Sequence, residues 1–286
     1  MASVDHLPTS RRDWSALLDR LGVRPSKGLG QHFLFERGIV NRIVRHADVG
    51  PGDLVLEIGP GLGILTAELL RTAGAVVAVE LDHRLADYLR NTLGGDPRLR
   101  VVDGNALQLS VDDLIPPGAE FVVVANLPYA VGSAVLRHLL EPRRRPRRLT
   151  VMLQLEVAER LVAAPPDMSV LAIAIQFYAE PRIAFTIPPS VFLPPPTVES
   201  AVVILDVRPE LPLPEADTPR FFRIVNAGFR QKRKQVANSL AAELDLSKPT
   251  VIDWLHHAGI DPTRRAQTLT VDDWLTLFRH TPDELQ

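Results

Sequence analysis

Residues 54–80 read LVLEIGPGLGILTAELLRTAGAVVAVE, and this stretch decides the fold of the chain. The apolar run 54–58 is typical of a buried parallel strand, and it breaks into a glycine-rich turn at residues 59–63. Leucines at helical spacing follow, Gly74 ends the predicted helix, and a second apolar run ends at Glu80. This order of strand, turn, helix, strand and acid predicts half of a nucleotide-binding α/β unit.

The glycines of the turn let the backbone approach a ligand closely and adopt positive φ angles. Glu80 follows about 20 residues later, where a carboxylate can accept hydrogen bonds from both ribose hydroxyls. A dinucleotide-binding turn has the form G-x-G-x-x-G/A, whereas here Gly59, Gly61 and Gly63 alternate and Ile64 follows them. The form E-x-G-x-G-x-G is that of methyltransferases that use S-adenosylmethionine (SAM), although a plain tight turn would also require glycines.

The chain has 286 residues, so it can form one large domain or two smaller ones. Its hydrophobic share of 46% and charged share of 23% are those of an ordinary globular protein. No apolar run is long enough to span a membrane, and residues 1–14 lack the apolar core of a secretory signal, so we expect a cytoplasmic protein. The absence of cysteine excludes disulfides and thiol catalysis, and the histidines lack metal-ligand spacing, so we expect no metal.

Strand and helix patterns alternate up to residue 207, which predicts an α/β fold with a doubly wound, mostly parallel, seven-stranded sheet. Residues 1–50 would add N-terminal helices and a basic, glycine-rich segment to this sheet. The proline-rich, acidic stretch 208–219 predicts a linker. Since only helical patterns follow, we expect a SAM-dependent domain over residues 1–207 and a small all-helical domain over residues 220–286.

Four candidate features follow four successive predicted strands, namely the glycine turn, Glu80, Asn105 and Asn126. Open α/β sheets bind ligands outside the carboxyl ends of their strands, so these features should converge on one edge. The turn would face the methionine part of SAM, and Glu80 would bind its ribose. Asn105, next to Ala106, would bind the adenine edge of the cofactor, although Asn105 could instead be a plain turn residue.

Asn126-Leu127-Pro128-Tyr129 follows the fourth strand and has the form [N/D]-x-P-[Y/F]. An aromatic exocyclic amine is a poor nucleophile because its lone pair is delocalised into the ring. The side-chain oxygen of Asn126 and a carbonyl of Leu127 or Pro128 can accept its two N–H bonds and make the nitrogen more pyramidal. Tyr129 offers a face for stacking the base, unless it is a core tyrosine, and direct methyl transfer would need no strong general base. Phe192, in a proline-rich loop, would stack on the base from the other side, unless it is a core aromatic.

The formal net charge is −2, so a nucleic-acid partner must be inferred from local basic patches. One patch consists of the arginines of a predicted loop, for which a solvated loop is the alternative: Arg143, Arg144, Arg145, Arg147 and Arg148. A second patch lies in the predicted helical domain, in a stretch without acidic residues: Arg220, Arg223, Arg230, Lys232, Arg233 and Lys234. The second patch predicts contacts with an RNA phosphate backbone, to which Lys27 would add.

Together these motifs resemble those of the ribosomal RNA adenine N6,N6-dimethyltransferases, from about residue 27 to residue 265. The matching segments are GLGQHFL (28–34), LEIGPGLGILT (56–66), VELD (79–82), GNAL (104–107), NLPY (126–129), PPSVFLPPPTVESAVV (188–203) and FRQKRKQVANSL (229–240). The resemblance implies a SAM-dependent enzyme that dimethylates two adjacent adenines in the 3′-terminal hairpin of 16S rRNA, late in 30S subunit assembly. We expect a monomer whose partner is 16S rRNA within an immature 30S subunit.

The resemblance also implies a set of residues that contact SAM: His32, Leu34, Gly59, Glu80, Asn105 and Asn126. It implies a helix over residues 169–179, which the pattern alone leaves open between helix and strand. Two residues depart from the family pattern, since His32 replaces the usual Asn and Asn105 replaces the usual Asp. Both can still form hydrogen bonds, so we expect activity with an altered affinity for SAM.

Three other functions compete with this one. The large-subunit rRNA methyltransferases that confer macrolide resistance share the SAM motifs and the N-x-P-Y form, but NLPY and PPSVFLPPP favour the small-subunit enzyme. A non-catalytic ribosome-assembly factor on the same fold is disfavoured by the intact Glu80 and Asn126. A nicotinamide dehydrogenase is disfavoured by Ile64 and by the lack of a candidate hydride site.

Overall fold

The computed structural model describes three stretches of the chain: residues 7–25, 30–231 and 233–282. Packing divides them into two compact units, which we call the sheet unit and the helical unit. The sheet unit comprises the described residues up to 158 and residues 180–207, whereas the helical unit comprises 159–179 and those from 208 onward. Sequence patterns assigned residues 159–179 to the first domain and treated 208–219 as a linker, whereas packing assigns both segments to the helical unit.

The described strands have these bounds: β1 Phe33–Leu34, β2 Leu54–Ile58, β3 Ala75–Glu80, β4 Leu99–Asp103, β5 Val122–Asn126, β6 Arg148–Gln154, β7 Ala179–Ile187, β8 Phe192–Leu193 and β9 Ser200–Val207. The helices up to the border of the two units are α1 Arg11–Arg20, α2 Arg37–Ala47, α3 Ile64–Thr72, α4 His83–Leu93, α5 Val111–Leu114, α6 Gly132–Leu140 and α7 Leu155–Leu161. The remaining helices are α8 Val170–Tyr178, α9 Thr218–Phe229, α10 Val236–Leu244, α11 Lys248–His257 and α12 Val271–Arg279.

Seven strands form the central sheet in the order β4-β3-β2-β5-β6-β9-β7. The pairings from β4 to β6 are parallel, and β9 pairs antiparallel with β6. The prediction of a doubly wound, mostly parallel sheet of seven strands is therefore confirmed. From β2 the chain builds outward to β3 and β4, then returns to add β5 on the opposite side of β2. The strand order reverses between β2 and β5, which is where open α/β sheets bind ligands.

A second, two-stranded sheet joins distant parts of the sequence. β1 pairs antiparallel with β8, with Phe33 opposite Leu193 and Leu34 opposite Phe192. Strands of two residues are too short to show a hydrophobic period, so the sequence did not predict this pairing. It brings the GQHFL segment against the proline-rich loop that follows β7.

The helical unit is held together by aromatic side chains. Residues 170–178 form helix α8, as the family resemblance implied, and its Phe177 ring stacks on Phe221 of α9 with centroids 5.1 Å apart. A Cβ at Gly228 of α9 would collide with the Trp274 ring of α12, so glycine lets these two helices approach closely. Trp254 of α11 donates from Nε1 to the Leu277 carbonyl at 2.8 Å.

Candidate active site

A cavity opens at the carboxyl edge of the parallel strands, at the switch point between β2 and β5. Its walls are the turn after β2, the end of β3, the residues after β5 and the segment that contains β1. The structure brings together these predicted site residues in its lining: His32, Leu34, Gly59, Gly61, Glu80, Asn126, Leu127, Pro128 and Tyr129. The predicted convergence of the strand ends is thus present for three of the four features.

The glycine turn has the backbone that its sequence predicted. Gly59 and Gly61 have φ angles of +68° and +58°, a region that side chains with a Cβ rarely adopt. A Cβ on Gly61 would also lie 3.0 Å from Cδ1 of Phe33, which forms part of the same cavity wall. Glycine at position 61 therefore serves both the turn conformation and the close approach of β1.

Glu80 is 5% exposed, and two backbone amides hold its carboxylate in place. Gly61 N donates to Oε2 at 2.9 Å, and Asp82 N donates to Oε1 at 3.0 Å. Burial raises the pKa of Glu80, while these amide donors oppose the rise. Each carboxylate oxygen can accept a further hydrogen bond, so the group suits a diol or another pair of donors.

Glu57 is a second buried acid in the cavity wall, and sequence reasoning did not assign it to the site. It is 1% exposed, and its Oε2 has no hydrogen-bond partner among the described residues. Burial raises the pKa of Glu57 to about 8, the Thr66 hydroxyl opposes this, and the nearby Glu80 carboxylate adds to it. At neutral pH the side chain is therefore mostly protonated. The available signal was a single charge inside an apolar strand.

The Asn126 amide is oriented by the N-terminal segment. Its Nδ2 donates to the His32 carbonyl at 3.3 Å, so Oδ1 is the amide atom left to accept a hydrogen bond in the cavity. The backbone that follows is anchored by two bonds, from Leu127 N to the Met152 carbonyl at 3.3 Å and from Val131 N to the Pro128 carbonyl at 3.1 Å. These contacts fix the start of the NLPY segment relative to β6.

The Tyr129 ring is fixed at both of its ends. Its hydroxyl shares a hydrogen bond of 2.5 Å with the buried Ser200 hydroxyl, and burial raises the pKa of Tyr129. A Cβ on Gly30, whose φ is +62°, would lie 3.0 Å from Tyr129 Cβ, so the N-terminal segment packs closely on it. The ring is thereby held as part of the cavity wall.

His32 links the N-terminal segment to the loop after β8. Its Nδ1 forms a hydrogen bond of 2.8 Å with the Pro194 carbonyl. Its ring lies 5.1 Å from the Tyr129 ring, at an angle of 35°. The departure from the family pattern at this position thus places a second aromatic ring beside Tyr129.

Phe192 is not the exposed stacking residue that the proline-rich loop predicted. It is 0% exposed and pairs with Leu34 in the β1–β8 ladder, within the hydrophobic core of the sheet unit. The prediction of an exposed aromatic is wrong because the short strand β8 directs this ring inward, while the half-buried Leu193 follows it. Phe192 therefore lies in the core opposite Leu34, which lines the cavity.

Three predicted cofactor residues lie outside the cavity lining, namely Gly63, Asn105 and Ala106. Gly63 has a φ of +80°, and a Cβ there would lie 2.6 Å from Leu89 Cδ2, so this glycine serves the packing of α3 on α4. Asn105 follows β4 in a turn in which its Oδ1 accepts a hydrogen bond from Leu107 N at 3.0 Å. A contact of Asn105 or Ala106 with a cofactor stays a prediction.

The sequence of this chain matches a known protein family over most of its length. A model of the ribosomal RNA adenine dimethylase family matches residues 24–282. The chain belongs to this family. It is 41% identical over 274 residues to the ribosomal RNA small subunit methyltransferase A of Dehalococcoides mccartyi, covering 96% of this chain and 94% of that one.

Two solved structures share the fold of this member of the ribosomal RNA adenine dimethylase family. The 23S rRNA methyltransferase ErmE matches with a TM-score of 0.71 and 31% identity, over 87% of this chain and 98% of the other. A dimethyladenosine transferase from Plasmodium falciparum matches with a TM-score of 0.72 and 25% identity, over 86% and 96% of the two chains.

The predicted arginine patch near residue 145 is bound to the rest of the sheet unit. Arg144 donates to the carbonyls of Ile115 and Ala119, at 2.9 and 3.0 Å, and Arg145 donates to that of Leu140 at 2.7 Å. In addition to these hydrogen bonds, two ion pairs of 2.6 Å each join Arg147 to Asp53 and Arg148 to Asp206.

The position of that patch also separates it from the cavity. Arg148 begins β6, so the loop that holds Arg143 lies at the amino edge of the parallel strands, opposite the candidate site. Four of the five arginines, Arg144, Arg145, Arg147 and Arg148, thus bind carbonyls or carboxylates at the far edge of the sheet, and we do not propose this patch as a ligand of the reacting RNA.

The second predicted patch lies in the helical unit. Its exposed residues are Arg223, Arg230, Arg233 and Lys234. Arg220 is half-buried, with its guanidinium 4.8 Å from the centre of the Phe278 ring. Lys27 and Lys232 lie outside the described residues. RNA binding by this patch stays a prediction.

The described residues, 7–25, 30–231 and 233–282, contain no group of three His, Cys, Asp or Glu side chains that could hold a metal ion. Among the helices of the same residues, none combines the length and apolar character that crossing a membrane requires.

Proposed function

We propose that this chain transfers methyl groups from SAM to N6 of two adjacent adenines in the 3′-terminal hairpin of 16S rRNA. It would act in the cytoplasm, as a monomer, on an immature 30S subunit. The observation that carries the proposal is the Asn126 amide, whose Oδ1 is left to accept a substrate hydrogen in a cavity that also holds Glu80. Membership of the family and the small-subunit name of the D. mccartyi relative support rRNA of this subunit as the substrate.

The residues of the cavity fit SAM. Glu80 has a free acceptor position on each carboxylate oxygen and would hold the ribose hydroxyls. A Cβ at Gly61 would press on the Phe33 ring of the cavity wall, so glycine in the turn at residues 59–63 preserves the shape of this wall, and the unpartnered Glu57 carboxyl offers another polar contact. When bound, SAM supplies an electrophilic methyl group on its sulfonium.

The target amine would be oriented by two acceptors. Asn126 Oδ1 would accept one N–H, and we favour the Leu127 carbonyl for the other because the Pro128 carbonyl already accepts a bond from Val131 N. Binding both hydrogens draws the nitrogen lone pair out of the adenine ring and directs it toward the methyl group. The N6–methyl bond would form as the sulfonium–methyl bond breaks and leaves a neutral thioether, S-adenosylhomocysteine, while N6 would release one proton to solvent. Alignment rather than a strong base would therefore supply most of the rate.

The adenine base would stack on Tyr129. The bond from its hydroxyl to Ser200 fixes the plane of this ring at the cavity wall, so the base meets a preformed surface. A base must leave its helix or loop to reach such a wall, and the stacking offsets part of that cost.

The proposal is tested by incubating the protein with labelled SAM and small subunits that lack the methyl groups, with an Asn126→Ala variant and large subunits in parallel. We expect label in small-subunit rRNA and a loss of about 100-fold or more in rate with the variant, because both orientation and the acceptor are removed. Tight binding of small subunits without transfer would leave only the assembly-factor function.

The 31% identity to ErmE gives the large-subunit alternative a specific basis. Label in 23S rRNA rather than in 16S rRNA would favour that alternative and contradict the proposed substrate.

A further inference from the structure

Helix α2 exposes one continuous basic face. Arg37, Asn41, Arg42 and Arg45 are all exposed, whereas Val40, Ile43, Val44 and Ala47 are buried against the core. At 3.6 residues per turn the exposed positions fall on one side of the helix, and Arg37 and Arg45 are about 12 Å apart along its axis. We call Arg37, Arg42 and Arg45 the arginine face.

These arginines differ from those near residue 145 because no carboxylate of the described residues forms an ion pair with them. The two acids beside the helix lie at its ends. Glu36 precedes it and accepts a bond from Gly38 N at 3.2 Å, and Asp48 follows it and lies 3.8 Å from Arg148. Arg37 makes one long contact, 3.4 Å, to the Leu7 carbonyl. The charge of the face is therefore uncompensated in a chain whose net charge is −2.

Arg42 is also pre-oriented. Its guanidinium carbon lies 3.8 Å from the centre of the Phe185 ring, and the His46 ring lies 5.3 Å from the same ring. Stacking on an aromatic ring leaves the edge N–H groups of a guanidinium directed outward, where they can bind a phosphate. It also reduces the entropy that the side chain loses on binding.

The helix begins beside the candidate active site. β1, whose Phe33 and Leu34 line the cavity, ends three residues before α2, and Phe35 N donates to the Val191 carbonyl at 3.2 Å. From there α2 runs toward the amino edge of the sheet, because the chain must reach the start of β2. An RNA strand that places a base in the cavity can thus continue along the arginine face.

We propose that the arginine face of α2 binds the phosphate backbone of the small-subunit rRNA whose adenines enter the cavity. This inference rests on the proposed function and adds a binding surface to it on the sheet unit. RNA is favoured over an acidic protein because Arg37, Arg42 and Arg45 are flanked by the polar Asn41 and enclose no large apolar side chain, whereas protein interfaces have an apolar centre.

The test measures binding of unmethylated small subunits, and of protein-free small-subunit rRNA, over a range of salt concentrations. The test variant is R37Q/R42Q/R45Q. A second variant, R37Q/R45Q, keeps the Arg42–Phe185 stack and replaces the first if the triple variant folds poorly. The control is R90Q/R98Q/R137Q, which removes the same charge from exposed arginines that carry ion pairs with Asp87, Asp96 and Glu141. SAM binding verifies that each variant is folded.

Three lost phosphate contacts should reduce the slope of log K against log salt by about 2 to 3, and two by about 1.5. The control should keep the wild-type slope, and every variant should keep its affinity for SAM. Unchanged slopes with the face variants, or equal losses with the control, would overturn the inference.

Weaker binding of the particle with unchanged binding of free rRNA would assign the face to a ribosomal protein and would also overturn it. If the wild type neither binds nor methylates the small subunits or the free small-subunit rRNA, the proposed function itself fails. If the wild type methylates small-subunit rRNA and the variants match it in binding, only this inference fails.

Discussion

At the scale of single residues, Glu57 is the least expected feature of the site. A carboxyl that is 1% exposed, with a pKa raised from 4.5 to about 8, binds its proton more tightly in the folded chain than in the unfolded one. The free energy of unfolding therefore falls as the pH rises from about 4.5 to about 8, by up to about 1.4 kcal/mol per pH unit from this group. Above this window the loss is complete.

Glu57→Gln should remove that dependence, because the amide stays neutral at every pH. Urea denaturation at several values between pH 5 and pH 9 measures it. We expect equal stability near pH 5 and a more stable variant at pH 9, by a few kcal/mol as an order of magnitude. Parallel stability curves for the two proteins would show that Glu57 titrates normally.

The Tyr129–Ser200 hydrogen bond gives a second prediction at this scale. Tyr129→Phe keeps the stacking ring but leaves the Ser200 hydroxyl, which is 0% exposed, without its partner. Such a loss costs about 1 to 3 kcal/mol of stability. In a double-mutant cycle with Ser200→Ala, the double variant should lose less than the sum of the two single variants. Strict additivity would mean that the two hydroxyls do not interact.

At the scale of elements, the glycine turn can be tested against a matched position. Gly61 and Gly118 both have positive φ, +58° and +75°, but only Gly61 faces a neighbour, the Phe33 ring, whereas a Cβ on Gly118 would meet nothing within 4 Å. Alanine should cost about 1 to 2 kcal/mol of stability at position 118, and more at position 61, where the added Cβ also presses on Phe33. Only Gly61→Ala should also weaken SAM binding, as measured by calorimetry. Equal SAM affinity in both variants would contradict the assigned role of the turn.

The β1–β8 ladder gives the other prediction for elements. Phe192→Ala should destabilise the chain by about 3 to 5 kcal/mol because the ring is fully buried, while Leu193→Ala, at a half-buried position, should cost less. Phe192→Leu should keep much of the stability and methyl transfer. Normal stability with transfer abolished in Phe192→Leu would restore the stacking role that the buried ring excludes.

The same elements show what the sequence could predict. β2, β3 and β5 are apolar runs apart from Glu57 and the polar residues that end β3 and β5. The glycine turn and Glu80 stand at the ends of β2 and β3, so local patterns were sufficient to place half of the cavity. The β1–β8 pairing has no local signal, since each strand has two residues and His32 meets Pro194 from 162 positions away. That contact, and the inward direction of Phe192, depend on tertiary packing. The burial that shifts the pKa of Glu57 depends on it as well.

At the scale of the whole molecule, RNA-binding surfaces are indicated by where the basic residues lie and not by the net charge. The net charge is −2, yet the chain contains three groups of arginines with different surroundings. Those near residue 145 bind carbonyls and carboxylates at the edge of the sheet opposite the cavity, and those of α2 are exposed without ion pairs among the described residues. Those of the helical unit are mostly exposed. The sequence analysis identified the first and third groups but not the arginines of α2, which are spaced along a helix and form no run.

At this scale, we propose that the cavity lined by Glu80 and Asn126 is the place where adenine N6 of small-subunit rRNA is methylated. The most direct measurement is mass spectrometry of nuclease fragments of 16S rRNA after reaction of unmethylated small subunits with SAM and the protein. We predict two adjacent N6,N6-dimethyladenosines in the 3′-terminal hairpin, present with the wild type and absent with Asn126→Ala. Unmodified hairpin adenines with the wild type, or full modification with Asn126→Ala, would contradict the account.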